Sequence, residues 1–376
     1  MKIPQIEYSF EEFLNTLCKA EIISKKRLKL AGFLTNFRLW DEPEHTYDLT
    51  RIFLNRKVEI KKLGDIRWLR GHYWDSILNT FIPAVFYAYL DSETGLLLIF
   101  TDDKMDAIRE IIWRRIVEVI DGIYYLFISP EEFDKLSNKI YQDYPLSRCI
   151  RFNAMHTSQF RYRGETRPQI RRTIIYNGED ALEALDEMKH FYGVIPTLMQ
   201  FKIPDLGTYS IRNNGCFTLV GSERQEESRR YLLSLANFVY KDVLVYRDII
   251  KTADFELIPI QTERKTFHIP KLTPITINFS QKLEFNDGKA LLEVLSEQGY
   301  SVFNYIISEG SLVSSGMITD ENKKNVITFD LNSDRIILAP RYNVSFDVFL
   351  KFYRIILENF DSEAKFETFK SLMYHD

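Results

Sequence analysis

Residues 208–220 read TYSIRNNGCFTLV, and this stretch decides the fold class. Two runs rich in apolar and β-branched residues flank Asn213-Asn214-Gly215. Asn-Gly between two such runs is a strong hairpin signal, because the tight turn needs positive φ angles that Asn and Gly adopt readily. The sequence therefore predicts strands over 208–212 and 216–220, joined by a hairpin turn.

A long helix is predicted to follow this hairpin, and the same combination occurs twice more in the chain. Strands are predicted over 84–90 and 96–101 in the first copy, and over 325–330 and 335–339 in the third. The second strands of the three copies begin at Leu96, Cys216 and Arg335, which are 120 and 119 residues apart. Helical spacing of apolar residues marks the helix of each copy. In the first copy these residues are Met105, Ile108, Ile112, Ile116 and Val119. In the second they are Tyr231, Leu232, Leu235, Phe238 and Val239, and in the third Phe346, Phe349, Tyr353, Ile356 and Phe360.

The last two copies also share a preceding strand and helix. YNGEDAL at 176–182 is similar to FNDGKAL at 285–291, and apolar strands over 173–176 and 275–279 come before them. The order strand, helix, strands, hairpin, long helix resembles one half of the helix-grip fold of the TATA-binding protein and its relatives. The resemblance implies a curved antiparallel sheet with helices across one face, and topology alone gives no function.

The predicted fold class is therefore α+β, with repeated antiparallel-sheet units that are each closed by a long helix and an N-terminal α+β segment. Three domains are predicted, over 1–145, 146–262 and 263–376, with the third similar to the second. The N-terminal part begins with a helix, because Ser9 and Glu12 form a capping-box pattern ahead of Phe13 and Leu17.

Composition excludes several classes of protein. A hydrophobic fraction of 45% and a charged fraction of 27% are ordinary for globular chains. The three cysteines, Cys18, Cys149 and Cys216, form no C-x-x-C pair, which favours a reducing compartment, and we expect a cytoplasmic protein. No apolar stretch is long enough to cross a bilayer, so no membrane partner is expected.

The most unusual local composition lies between residues 148 and 172. Seven arginines stand there against one acid, Glu165, although the whole chain has a net charge of −4. Arginine pairs with phosphate through two parallel hydrogen bonds, and aromatic residues between cations can stack on the bases of a single strand. The predicted nucleic-acid or partner-binding residues are Arg148, Arg151, Phe160, Arg161, Tyr162, Arg163, Arg167, Arg171 and Arg172. An acidic protein partner would suit the same segment.

Two further clusters have a chemical interpretation. Asp48, Glu59 and Lys61 follow the D…E-x-K order of nucleases that hold magnesium with carboxylates, although a solvated strand edge fits the charges equally well. Residues 67–74, RWLRGHYW, could stack on a planar ligand, but a buried aromatic anchor at a domain junction is favoured.

Catalytic and cofactor signatures are otherwise missing from the sequence. The six histidines are never at metal-ligand spacing, and neither a Walker A loop nor a G-x-G-x-x-G motif is present. No catalytic residue, metal or cofactor is therefore predicted. The leading hypothesis is a non-catalytic nucleic-acid-associated or complex-forming subunit. The alternatives are a metal-dependent nuclease and a purely structural interaction protein, in which exposed sheet edges could form a homodimer.

Overall fold

The chain was analysed as a computed structural model. The structure describes residues 7–23, 27–35, 40, 49–120, 122–156, 172–252, 257–261, 266–270, 274–307, 312, 314–320, 325–342 and 346–368.

The α-helices of these residues are α1 (Phe10–Cys18), α2 (Leu49–Asn55), α3 (Met105–Ala107), α4 (Pro130–Asp143), α5 (Ala181–Tyr192), α6 (Gln225–Thr252), α7 (Phe285–Glu297) and α8 (Phe346–Asn359). Helix α3 continues as a π-helix over Ile108–Val117. The first strands are β1 (Leu28–Thr35), β2 (Glu59–Leu63), β3 (Ile66–Asp75), β4 (Thr80–Leu90), β5 (Leu96–Thr101), β6 (Ile123–Tyr125), β7 (Arg148–His156), β8 (Thr173–Asn177), β9 (Val194–Ile203) and β10 (Gly207–Arg212). The remaining strands are β11 (Cys216–Ser222), β12 (Leu257–Gln261), β13 (Thr266–Pro270), β14 (Ile275–Asn278), β15 (Tyr300–Ile307), β16 (Ser314–Asp320), β17 (Val326–Leu331), β18 (Arg335–Tyr342) and β19 (Lys365–Thr368).

Eleven strands form one antiparallel sheet, the large sheet. Its order is β2-β3-β4-β5-β1-β11-β10-β9-β7-β8, and β6 pairs with β1. Strand β1 lies in the middle, with β5 along one side and β11 and then β6 along the other. All eight residues of β1 are buried, as expected for a central strand that is covered on both faces.

One face of the large sheet carries the main core. The row Phe152, Met199, Ile211, Phe217, Leu30 and Phe100 crosses six strands in register, and each of these side chains is at most 1% exposed. Helices α1, α4, α5 and α6 pack on this row through buried residues such as Phe13, Phe133 and Leu232. The Ser9–Glu12 capping box at the start of α1 is present as predicted.

A second core covers the opposite face of the large sheet over β1 and β3–β5. Because side chains alternate along a strand, Ala31 and Ile99 point away from the main core, and they pack with α2 and the π-helix in this second core. The sequence predicted an α-helix here with Val119 inward. Instead, the backbone N–H of Glu118 donates to the carbonyl of Trp113 at 2.9 Å, an i→i+5 bond, and Val119 is 46% exposed. The wider π turn moves the buried positions to Ile111, Ile112, Ile116 and Val117.

The C-terminal residues form a second antiparallel sheet, in the order β15-β16-β17-β18-β14-β19, and β12 and β13 form a two-stranded ribbon. Helix α8 contacts β6 and α6, which joins this sheet to the large one. At the contact, Asn213 Nδ2 donates to Glu358 Oε1 at 3.1 Å, and the Arg354 guanidinium lies 5.0 Å from the Tyr125 ring centroid.

The α+β class and the three hairpins of the sequence prediction are confirmed. Strands from both sides of residue 146 hydrogen-bond within the large sheet, through the β1–β11 pair. The division into three domains stays a prediction.

Candidate functional site

A row of polar side chains crosses the large sheet beside the apolar row. It runs in register through Asn177, Arg151, Gln200, Ser210, Thr218, Lys29 and Thr101, on seven neighbouring strands. Six members follow or precede a residue of the apolar row, and Asn177 follows Tyr176, the partner of Phe152, so the two rows lie on opposite faces. We call this face of β7–β11 the polar face.

The polar face carries positive charge and no strand acid. Arg148 pairs with Lys202 across β7 and β9, and Arg212 lies opposite Leu198. None of the residues of β1 and β7–β11 is Asp or Glu. Arg151, Gln200, Ser210, Arg212 and Thr218 are partly accessible to solvent, whereas Lys29 is 7% exposed and its ammonium donates to the Asp103 carbonyl.

Two other arginines, Arg109 and Arg151, are close enough to Arg212 for their charges to act on it. Burial lowers the pKa of the Arg212 guanidinium, a thiolate at Cys216 would oppose this, and the charges of Arg109 and Arg151 lower the pKa further. Arg109 Nη1 is 3.3 Å from Asp106 Oδ1, and Arg151 Nε donates to Asn153 Oδ1 at 3.4 Å. An anion placed among Arg109, Arg151 and Arg212 would relieve this repulsion.

The structure places three of the nine predicted site residues. Arg148 lies at the start of β7 in an exposed ion pair with Glu179, Arg151 lies on the polar face, and Arg172 is exposed just before β8. The other six lie outside the described residues: Phe160, Arg161, Tyr162, Arg163, Arg167 and Arg171. Sequence reasoning missed Gln200, Lys202, Ser210, Arg212 and Thr218.

The signal for these missed residues is the alternation of polar and apolar residues in β9, β10 and β11. It could show that one face is polar. It could not show that strands more than 40 residues apart in the chain place Arg151 and Arg212 on the same face.

The tryptophan cluster divides into two environments. Trp68 is 5% exposed in the main core, and the Arg67 guanidinium lies 5.5 Å from the ring centroid of Trp40. Trp74 is 47% exposed near the tip of the β3–β4 hairpin, where it contacts Phe81. The favoured interpretation, a buried anchor, therefore applies to Trp68 and not to Trp74.

The predicted nuclease set is only partly described. Glu59 and Lys61 lie two residues apart on the edge strand β2, and Glu59 Oε2 is 3.9 Å from Arg70 Nη1. Asp48 lies outside the described residues. Within the described part of the chain, no group of three or more metal-ligating side chains is present.

Cys149 lies in the main core, on the face of the large sheet opposite the polar face. It is fully buried, and burial raises the pKa of its thiol to about 11. This fits a structural cysteine and not an activated nucleophile. Across the described residues, no helix is long and apolar enough to span a membrane.

Comparison with known proteins relates the middle of the chain to other sequences. Residues 131–214 match the model of a family described as AF_0896_M: family middle domain. A protein of Archaeoglobus fulgidus described as uncharacterized is 23% identical over 249 residues, which cover 64% of this chain and 66% of that relative. The segment that is similar to the family middle domain runs from α4 to the β10–β11 turn, and so includes Arg151 and Arg212.

Proposed function

We propose that this protein is a non-catalytic nucleic-acid-binding subunit that contacts phosphates with its polar face. The observation that carries the proposal is the like-charge group Arg109, Arg151 and Arg212 on and beside a sheet face without strand acids. Phosphates are the anions that such a group attracts over an extended surface.

The dimensions of the polar face support contact with a nucleic-acid backbone. Arg151 and Arg212 lie on β7 and β10, with β9 between them. Neighbouring strands are about 4.8 Å apart, so the two arginines lie roughly 10 Å apart across the sheet. Lys202 extends the cationic surface along β9, and Arg148, which is ion-paired with Glu179, lies opposite it on β7.

The polar row contains hydrogen-bonding and not aromatic side chains. Arginine, glutamine, serine and threonine donate to phosphate and sugar oxygens, which fixes position without reading sequence. The predicted stacking residues Phe160 and Tyr162 belong to the segment that enters β8. The proposal therefore assigns backbone contacts to the polar face and keeps base stacking as a prediction for that segment.

Binding can be measured by fluorescence anisotropy with single- and double-stranded DNA and RNA of about 20 nucleotides at several salt concentrations. The test variant combines Arg151→Gln and Arg212→Gln. We expect it to weaken binding about tenfold or more, and to reduce the slope of log affinity against log salt by about 1 to 2.

Arg224→Gln is the matched control, because Arg224 is exposed and ion-paired with Glu227 beside α6, which packs on the other face of the sheet. The proposal fails if the wild type binds none of the four nucleic acids, or if the double variant binds as the control does. If polyglutamate displaces the labelled nucleic acid as effectively as unlabelled nucleic acid does, an acidic protein partner is favoured. Arg161→Glu with Arg163→Glu tests the predicted segment separately.

We also propose that the chain contains a duplicated unit with the helix-grip layout. The first unit has the sheet order β2-β3-β4-β5-β1 and the C-terminal unit has β15-β16-β17-β18-β14, which correspond strand for strand. A helix follows the first strand and the last strand in both, and β6 and β19 pair with β1 and β14. The middle unit differs, because β7 lies next to β9. An experimental structure in which the two units could not be superposed in this order would contradict the duplication.

The proposed compartment is the cytoplasm, since Cys18, Cys149 and Cys216 are all unpaired and buried. Cell fractionation with an antibody to the native protein would test it, and recovery in an oxidising compartment would argue against it.

A further inference from the structure

Strand β8 lies at an open edge of the large sheet. It pairs with β7 on one side, and no described strand pairs with its other side. The backbone N–H of Gly178 donates to the carbonyl of Ile150 on β7, and the residues that bond to β7 alternate along β8 from this point. The intervening residues present their N–H and carbonyl groups to the open side. They are Thr173, Ile175 and Asn177.

The other edge strands of the described residues have features that hinder pairing with a further strand. Charged residues, prolines, bulges and very short strands all have this effect. β2 contains Glu59, Lys61 and Lys62, β19 contains Lys365 and Glu367, and both strands of the β12–β13 ribbon contain proline. The β15–β16 register shifts after Phe303, and β6 has three residues. β8 reads TIIYN, with no charge, no proline and no register shift against β7.

The side chains of β8 are apolar enough to gain from being covered. Ile175 is 56% exposed, although it is a large β-branched residue on the polar face. Ile174 and Tyr176 point to the main core, and both remain partly accessible at its margin. A strand that paired with β8 would cover apolar surface on both faces of the sheet.

Exposed aromatic side chains of α5 lie near the same edge. Phe191 and Tyr192, at the C-terminal end of α5, are 67% and 58% exposed. The Tyr192 carbonyl oxygen is 3.2 Å from Nδ1 of His156, the last residue of β7, and Met155 before it pairs with Thr173 of β8. The end of α5 is therefore close to the start of β8, and an interface at this strand can include it.

β8 is complementary to a second copy of itself. In an antiparallel pair centred on Ile175, this residue faces Ile175 of the second copy, and Ile174 faces Tyr176. Aromatic residues opposite β-branched residues stabilise antiparallel sheets. Thr173 faces Asn177 in the same register, so polar residues meet at both ends of the strand. A two-fold symmetric interface requires self-complementarity of this kind.

The charges at the two ends of β8 favour the same arrangement. Arg172 precedes the strand, Glu179 and Asp180 follow it, and all three are exposed. Antiparallel pairing about Ile175 brings Arg172 of one copy beside Glu179 of the other. Glu179 also pairs with Arg148 of its own chain, at an exposed site. Opposite charges therefore meet at each end of the paired strands, which fixes orientation and register.

We propose that two copies of this chain form a symmetric dimer by antiparallel pairing of their β8 strands about Ile175. The large sheet then continues from β7 and β8 of one copy into β8 and β7 of the other. Because the two-fold axis is normal to the sheet, the polar faces of both copies lie on the same side. The dimer does not depend on the proposed nucleic-acid surface, and its test uses no nucleic acid, so either proposal can fail without the other.

Sedimentation velocity of the full chain over about 1 to 200 µM tests the dimer, because a short strand pair buries less area than a standard interface and gives a dissociation constant of about 1 to 100 µM. Ile175→Lys places like charges opposite each other at the two-fold axis, and so does Ile175→Glu. We expect each variant alone to associate at least about tenfold more weakly than the wild type. An equimolar mixture of the two variants should dimerise again, because opposite charges then face each other.

Phe303→Lys is the matched control, because Phe303 is an exposed apolar residue on β15, an edge strand of the other sheet. We expect this variant to dimerise as the wild type does. Far-UV circular dichroism of each variant excludes a folding defect. If Ile175→Lys did not fold, Thr173→Pro would replace it, since it removes an N–H on the open side and proline is tolerated at the first residue of a strand.

Three results would overturn the proposal. A wild type that stays monomeric at the highest concentration would leave the β8 edge to a strand of a different protein. Association of the folded Ile175→Lys variant as strong as that of the wild type would place the contact elsewhere. A mixture of the Ile175→Lys and Ile175→Glu variants that stays monomeric would show that the two Ile175 positions do not face each other.

Discussion

Arg151 and Arg212 lie on the same face of the large sheet, on strands separated only by β9, and the charge of Arg151 contributes to the lowered pKa of Arg212. Burial of Arg212 is the larger cause of that shift. Holding two cations in this way adds no stability by itself, and the phosphate contact proposed above would give the arrangement a purpose.

Arg212→Gln tests this explanation without nucleic acid. Because the substitution removes a partly buried charge that two other arginines repel, we expect the free energy of unfolding to be unchanged or to rise slightly. We also expect added phosphate to raise the melting temperature of the wild type more than that of the variant, since a ligand that binds the native state stabilises it. Thermal unfolding with and without phosphate measures both effects. Equal phosphate stabilisation of the two proteins would contradict the explanation.

Gly215→Ala should be destabilising by about 1 to 3 kcal/mol. The φ of Gly215 is +71°, and an added Cβ would lie 2.6 Å from the Leu126 carbonyl oxygen. Gly221→Ala is the control, because a Cβ at Gly221 would meet no atom within 4 Å, and we expect a change within about 0.5 kcal/mol. Denaturant unfolding measures the free energy of unfolding of both variants. Equal effects of the two substitutions would show that the turn conformation does not limit stability.

Lys351→Met should cost about 3 to 5 kcal/mol, the loss that follows when one partner of a buried ion pair is removed. Lys351 Nζ lies 2.7 Å from Asp320 Oδ2, and the Asp320 side chain is 2% exposed. Methionine keeps the packing against Tyr300, whose ring centroid is 4.5 Å from the ammonium. Lys135→Met removes exposed pairs with Glu131 and Asp242 and should cost at most about 1 kcal/mol. A loss as small as that of Lys135→Met would show that the ion pair of Lys351 with Asp320 contributes little to stability.

The thiols of Cys149 and Cys216 should be unreactive in the native protein. Burial raises the pKa of each to about 11, so little thiolate is present near neutral pH, and neither side chain is exposed. We expect Ellman's reagent at pH 8 to modify neither cysteine in the native state and all three cysteines, including Cys18, after unfolding. Rapid modification of native Cys149 would indicate that β7 opens locally.

The elements of the fold could be predicted where local signals agree. The hairpins at Gly95 and Gly215, the capping box at Ser9 and the apolar stripe of α6 were all predicted from a few adjacent residues. The π-helix could not be predicted, because the pattern of Ile108, Ile112 and Ile116 fits an α-helix equally well. The choice depends on how the helix packs against β3 and β6, and this is tertiary information.

The polar face was harder to predict than any single strand. Arg151 was selected from the sequence because arginines surround it in the chain. Arg212 has no such neighbours, and it becomes part of the same surface only through the pairing of β7 with β9 and of β9 with β10. A surface built across strands has no local signature, so sequence reasoning found only the part that is also clustered in the chain.

The central position of β1 sets an order of events during synthesis. β1 can pair with β5 as soon as residue 101 has emerged, and its Phe33–Thr35 part can pair with β6 soon afterwards, but β11, the partner of Leu28–Ala31, begins only at Cys216. At about 5 to 20 residues per second, the ribosome needs roughly 6 to 25 s to make the chain between the end of β5 and β11. During that interval the Leu28–Ala31 part of this apolar strand has an open hydrogen-bonding edge, which is a template for incorrect pairing. The nascent chain is therefore most vulnerable to aggregation after the first unit has formed and before the strand that closes it has been made.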